Sequence, residues 1–111
     1  MTEEPVPLEQ SLRTIAPKLI QLTEEVLYAD VWERGGLSKR DRSLVSVAAL
    51  VALNRLEQVK YHLRLAVAKG VSQEELVELI THLAFYAGWP CALTAMTVAK
   101  GVFAVEDDPQ A

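Results

Sequence analysis

The sequence predicts an all-α protein of five or six helices joined by short loops. Three observations carry that expectation. Apolar residues recur at three- and four-residue steps through most of the chain, no segment alternates with period two for long enough to make a strand, and helix punctuation falls where the pattern stops and restarts.

Residues 1 to 7 hold two prolines and two glutamates without periodicity and read as a flexible arm. From Leu8 the pattern is helical, through Leu12, Ile15, Leu19, Leu22, Val26 and Leu27. Pro17 cannot donate an intrahelical bond, so a break is expected near Ala16, with Pro17 in the first turn of a fresh helix. Glu24, Glu25 and Asp30 then face water. Gly35-Gly36 ends this part.

Ser38 is the N-cap of the next helix, with Asp41 three residues on placed to reach back as in a capping box. That helix, Lys39 to Leu53, is charged for one turn and then apolar around nearly its whole circumference, which calls for burial between helices or subunits. Asn54 suits the left-handed residue that closes it, and a further helix runs from Leu56 to Lys69 before Gly70. Ser72 and Glu75 make a second capping box for a helix from Gln73 to Ala87. Gly88-Trp89-Pro90 stops it and starts the last helix, Pro90 to Val105, with residues 106 to 111 as a frayed acidic tail. Residues 8 to 105 are thus expected to form a single helical domain.

Composition narrows the function. In 111 residues, 50% hydrophobic with only 5 Gly and 5 Pro, there is enough apolar surface for a packed core. A net charge of -4 with 11 scattered basic residues gives no reason to approach nucleic acid or an anionic membrane. The longest apolar stretch, Leu44 to Leu53, is about half the roughly 20 residues of a membrane span. One cysteine, Cys91, cannot form an internal disulfide, and the N-terminus has no signal-peptide pattern, so a cytoplasmic location is expected.

The chemistry-bearing residues sit at the borders of apolar stripes. On the helix from Leu56 the stripe is Leu56, Val59, Leu63, Ala66 and Val67, and at about 100° per residue His62 lies on its edge. On the helix from Gln73 it is Leu76, Leu79, Ile80, Leu83 and Ala87, with His82 and Tyr86 on the border. Both histidines are therefore expected at equivalent boundary positions, where an imidazole can look into a cleft and exchange protons near neutral pH. The commoner role for a histidine at either position is a surface hydrogen bond or a capped carbonyl. Leu65, Phe85 and Tyr61 point away from these stripes, a second apolar face that predicts a homo-oligomer. Neither histidine has the helical His-x-x-x-His partner or carboxylate cluster of a metal site. Cys91, in the first turn of a helix, reads as a small packed residue before a reactive thiol.

The run LSKRDRSLVSVAALVALNRLEQVKYHLRLAVAKGVSQEELVELITHLAFYAGWPCALTAM resembles the carboxymuconolactone decarboxylase family. The likeness lies in an Arg-rich helix start, a histidine at the His62 position, the Lys69-Gly70-Val71-Ser72 turn and the Tyr86-x-Gly88-x-Pro90 corner, with HLAFYAGWP as its most specific part. It implies an alkylhydroperoxidase D-like bundle with a central helical hairpin, assembled as a homotrimer or homohexamer with clefts between subunits. The redox relatives carry a Cys-x-x-Cys pair before the histidine. Here Arg55 and Gln58 occupy those places and Ser43 falls near the position of the relatives' upstream glutamate, so the two-thiol peroxidase alternative lacks its thiols.

The decarboxylase branch of the resemblance implies cofactor-free acid-base decarboxylation or isomerisation of a small carboxylactone or keto acid. Loss of CO2 leaves an enolate-like carbanion, which calls for cations on the carboxylates and an acid that returns a proton to carbon. In that scheme Arg40 or Arg42 clamps the substrate, His62 donates the proton, His82 and Tyr86 assist, and Trp89 walls the pocket. The bland alternatives are an exposed helix-end charge for Arg42, packing roles for Tyr86 and Trp89, and for the whole chain a non-catalytic oligomeric scaffold.

Overall fold

A computed structural model describes residues 8–108, and in them every regular element is helical. The order is α1 (Leu8–Leu12), α2 (Pro17–Leu22), a π-helical turn (Thr23–Tyr28), a 3-10 turn (Val31–Glu33), α3 (Lys39–Ala52), α4 (Leu56–Ala68), α5 (Gln73–Ala87) and α6 (Trp89–Asp107). Among the described residues no helix is long and apolar enough to cross a membrane. The expected arm, residues 1 to 7, lies outside the described residues, as does the end of the tail. The chain divides into two units at Gly36.

In the first unit the break falls where proline requires it, and α2 begins on Pro17. The helical pattern does not continue as one regular helix: Ala29 N–H donates to the Glu24 carbonyl at 3.0 Å, a wide i to i−5 turn. Arg13 forks onto Glu24 with Nη1 at 3.0 Å and Nη2 at 2.6 Å from its carboxylate oxygens. Burial also differs from the periodicity. The side chains that go inside are Ile20 and Trp32, whereas Ile15 and Leu19 of the expected stripe are exposed.

The second unit is built from α3 to α6. Ser38 Oγ accepts from Asp41 N–H at 3.0 Å, the cap half of the expected box. Ser72 and Glu75 form the complete box: Oγ accepts from Glu75 N–H at 3.1 Å, and Glu75 Oε1 accepts from Ser72 N–H at 2.9 Å. Asn54 closes α3 at φ 57°, in the left-handed region. Its N–H reaches the Val51 carbonyl and Arg55 N–H the Leu50 carbonyl, so the chain reverses into α4 within a few residues. Gly88, at φ 105°, makes the corner into α6.

Helix α3 packs on α4 and α5, α6 packs on the same two, and α3 and α6 touch across the middle. That leaves α4 and α5 at opposite corners. The core between them holds Val47 and Val51, Val59, Leu63 and Ala66, Leu76 and Ile80, and the row Ala92, Ala95, Ala99 and Val102. The α4 stripe is the one the sequence predicts; on α5 Leu76 and Ile80 are buried as expected, but Ala84, outside the expected stripe, is buried too, while Leu79, Leu83 and Ala87 are only partly so. On α6 the small residues go inside and Leu93 stays 60% exposed, because alanine lets helix backbones approach closely. The last helix runs two residues beyond the expected end, into the segment expected to fray. Asp107 Oδ1 accepts from Gln73 Nε2 at 2.9 Å, which ties that last turn to the start of α5.

Candidate functional site

His62 lies in the second turn of α4, beside the buried Val59 and Leu63, so the turn at Asn54 sets its position directly. It is half-buried, and its Nδ1 is screened from solvent. Burial penalises the charged imidazolium and holds the pKa below the ordinary histidine value. The neutral imidazole is therefore the resting form near neutral pH. The Tyr61 ring meets it edge-on, with centroids 5.0 Å apart and planes at 88°.

His82 is in a different setting. It is exposed on α5, one turn from Tyr86, with ring centroids 4.7 Å apart at 30°. The expected equivalence of the two histidines does not hold, since only His62 is drawn towards the core. Because α4 and α5 stand at opposite corners, the fold of one chain does not pack the two imidazoles' helices together.

Past Tyr86 comes an aromatic corner. Phe85 and Trp89 meet edge-to-face across Gly88 at 5.2 Å and 81°. Trp89 lines a cleft of about 140 Å³ between α5 and α6, with Ile80, Ala84, Leu93 and Met96, and its walls are almost wholly apolar. The lining of this cleft does not include His62, so within one chain Trp89 does not wall a pocket at the expected proton donor. Phe85 and Tyr86 are 74% and 77% exposed, so this corner is an exposed aromatic surface.

The arginines are committed within the chain. Arg40 Nη2 donates to Glu75 Oε2, linking the first turns of α3 and α5, and Nη1 stands 3.8 Å from Asp41. The hydrogen bond from Arg40, followed by that from the Ser72 backbone, holds the Glu75 carboxyl below its ordinary pKa. The same contact raises that of Arg40. Arg42 is part-buried, and its Nε donates to the Leu37 carbonyl at 3.1 Å, fastening the loop to the helix start. A carboxylate clamp from Arg40 thus requires exchange of Glu75 for substrate.

At the positions matching the redox relatives, Arg55 is exposed just before α4 and Gln58 is exposed in its first turn, and Ser43 is fully buried with Oγ donating to the Lys39 carbonyl at 3.0 Å. Cys91 is a free, part-buried thiol on α6. Two participants escape sequence reasoning: Tyr61 as the ring against His62, and Glu75 as the partner of Arg40. Glu75 is visible in sequence as a capping residue, but nothing in the chain signals a contact with a residue 35 positions earlier.

Within one chain these features stand apart, His62 on α4, His82 and the apolar cleft at α5 and α6, and the basic start on α3, though each is of a kind that acid-base chemistry on an anionic substrate uses. Comparison with known proteins points the same way. The profile of the Carboxymuconolactone decarboxylase family matches residues 17–101. A 4-carboxymuconolactone decarboxylase of Acinetobacter baylyi is 45% identical over 76 residues, 68% of this chain and 57% of that protein. A nitrosuccinic acid decarboxylase of Metarhizium robertsii is 30% identical over 96 residues, 84% of this chain and 67% of that protein. The chain matches little more than half the length of the bacterial relative.

Proposed function

Because the chain belongs to the carboxymuconolactone decarboxylase family, we propose that it is a cofactor-independent lyase that decarboxylates a small carboxylate-bearing lactone or keto acid, with His62 as the proton donor. The observation that carries this reading is the half-buried His62 in the second turn of α4, an acid-base group held partly out of water. Both relatives named for an activity are decarboxylases of small carboxylic acids, which supports the substrate class.

The chemistry is as follows. The bond between the substrate carbon and its carboxylate breaks, CO2 departs, and the electron pair passes into a conjugated carbonyl. His62 as imidazolium then delivers a proton to carbon, and water restores its proton. In the free protein burial favours neutral His62. A bound carboxylate beside the ring favours the charged form, so the substrate itself draws the required proton onto His62. Arg40 holds a carboxylate after exchanging Glu75, and Arg42 keeps the helix start in place.

We further propose that the working unit is a homotrimer or homohexamer in which a second copy covers the aromatic corner and brings His82, Tyr86 and Trp89 to a cleft beside His62. Exposure of Phe85, Tyr86, Trp89 and Leu93 in one chain supports this. An alkylhydroperoxidase role is disfavoured because the chain has one cysteine where thiol-disulfide exchange needs two. The test is CO2 release from 4-carboxymuconolactone and related carboxylactones and keto acids. Turnover of one of them supports the lyase; none across the panel, with the oligomer intact, favours the non-catalytic scaffold.

A further inference from the structure

A second groove lies between α4 and α6. It holds about 310 Å³ and is lined by Lys60 and Arg64 on one wall and by Val98, Gly101, Val102 and Val105 on the other. At about 100° per residue Lys60 and Arg64 stand roughly 160° around α4 from His62, so the groove is separate from the proposed proton donor.

Three of its features work against the helices that carry them. Lys60 and Arg64 are one turn apart on one face, a like-charge spacing that weakens a helix. Among the described residues neither makes an ion pair. Gly101 sits inside the longest helix, where glycine is a poor helix former, yet a Cβ built there meets nothing within 4 Å. Packing within the chain therefore does not demand glycine. What its missing side chain does is leave the floor of the groove open.

Two uncompensated cations at the rim of an apolar trough suit one kind of ligand. A carboxylate can bridge the Lys60 ammonium and the Arg64 guanidinium, while a hydrocarbon body lies over Gly101 against Val98, Val102 and Val105. The volume is at the small end of ligand pockets, which run from about 300 to 1,000 Å³. We propose that the α4–α6 groove is a binding site for a small amphipathic carboxylate, with its headgroup between Lys60 and Arg64 and its apolar body over Gly101.

The test is a titration of the full chain with octanoate below its micelle concentration, followed by amide chemical shifts, with octanol as the neutral control. Octanoate is expected to shift the amides of residues 60–64 and 97–105. Its affinity should fall at least about tenfold, or 1.4 kcal/mol, in a Lys60→Gln/Arg64→Gln double variant, and a similar loss is expected in Gly101→Leu, which fills the trough. Octanol should bind weakly to every form. Gly101→Ala adds a single carbon and should retain most of the binding, and circular dichroism checks each fold. If Gly101→Leu does not fold, the charge variants decide. Equal affinity for octanol, unchanged affinity in the charge variants, or shifts centred on Trp89 and Leu93 would overturn the proposal. So would concentration-dependent broadening of these amides in the free protein, which would assign the groove to a second copy.

Discussion

Arg40 in the first turn of α3 donates to Glu75 in the first turn of α5, and Glu75 at the same time accepts from the Ser72 backbone that it caps. One carboxylate therefore fixes a helix start and occupies the cation proposed to hold substrate. Glutamine can serve the same capping position but carries no charge. Glu75→Gln is expected to release Arg40 and lower the KM for a carboxylate substrate a few-fold, whereas Arg40→Ala raises it. Steady-state kinetics of the two variants check this; a higher KM in Glu75→Gln would mean that the pair works only as an intact strut.

Core and surface apolar residues should behave oppositely. Leu63 is fully buried, so Leu63→Ala leaves a cavity and is expected to cost about 2–5 kcal/mol in denaturant unfolding. Phe85→Ser, at a position 74% exposed, should leave the unfolding of an isolated chain nearly unchanged and shift the assembly towards monomer in sedimentation. Loss of fold in Phe85→Ser without a change in assembly would place that ring inside a chain and not between copies.

Burial lowers the His62 pKa, and the sign of its effect on stability follows. Above the unfolded value of about 6.5 the imidazole is neutral in both states. As pH falls below that value the unfolded chain takes up the proton first, so stability declines until the folded pKa is passed and then levels off. Urea midpoints between pH 7.5 and pH 5 should therefore fall for the parent protein and fall less for His62→Gln. The range stays above the depressed Glu75 carboxyl.

Helix starts and stops were legible because they depend on local chemistry. Ser38, Asn54, Ser72, Gly88 and Pro90 act on the backbone within a few residues of themselves, and the elements they delimit are where the sequence puts them. Burial was legible where one stripe of large residues faces one core, as on α4. It was not on α6, where Ala92, Ala95 and Ala99 are inside and Leu93 outside: a helix apolar all round offers no contrast from which to choose a face. The stripe from Leu8 to Leu27 was not legible either, because the backbone breaks before Pro17 and widens into a π-turn over Thr23–Tyr28, so no single helical period runs through it. At the site, His62 beside the core could be found by helical arithmetic. The exposure of His82 and the engagement of Arg40 by Glu75 could not, because both depend on which helices meet.

The pH dependence of turnover should carry the mark of a buried acid that its substrate recharges. For kcat/KM, which reports the free protein, activity is expected to fall as pH rises through the lowered His62 pKa. For kcat the same limb should lie at higher pH, since a bound carboxylate favours imidazolium. Coincident limbs would show that substrate charge does not reach the ring.

The most direct measurement is the kcat of His62→Asn against the parent protein on whichever carboxylactone the parent turns over, with assembly and unfolding midpoint checked in both. Removal of a general acid is expected to lower kcat by about 10²–10⁴-fold and to abolish the limb assigned to His62. Unchanged turnover in a folded, assembled His62→Asn protein would contradict the assignment of His62 as the proton donor.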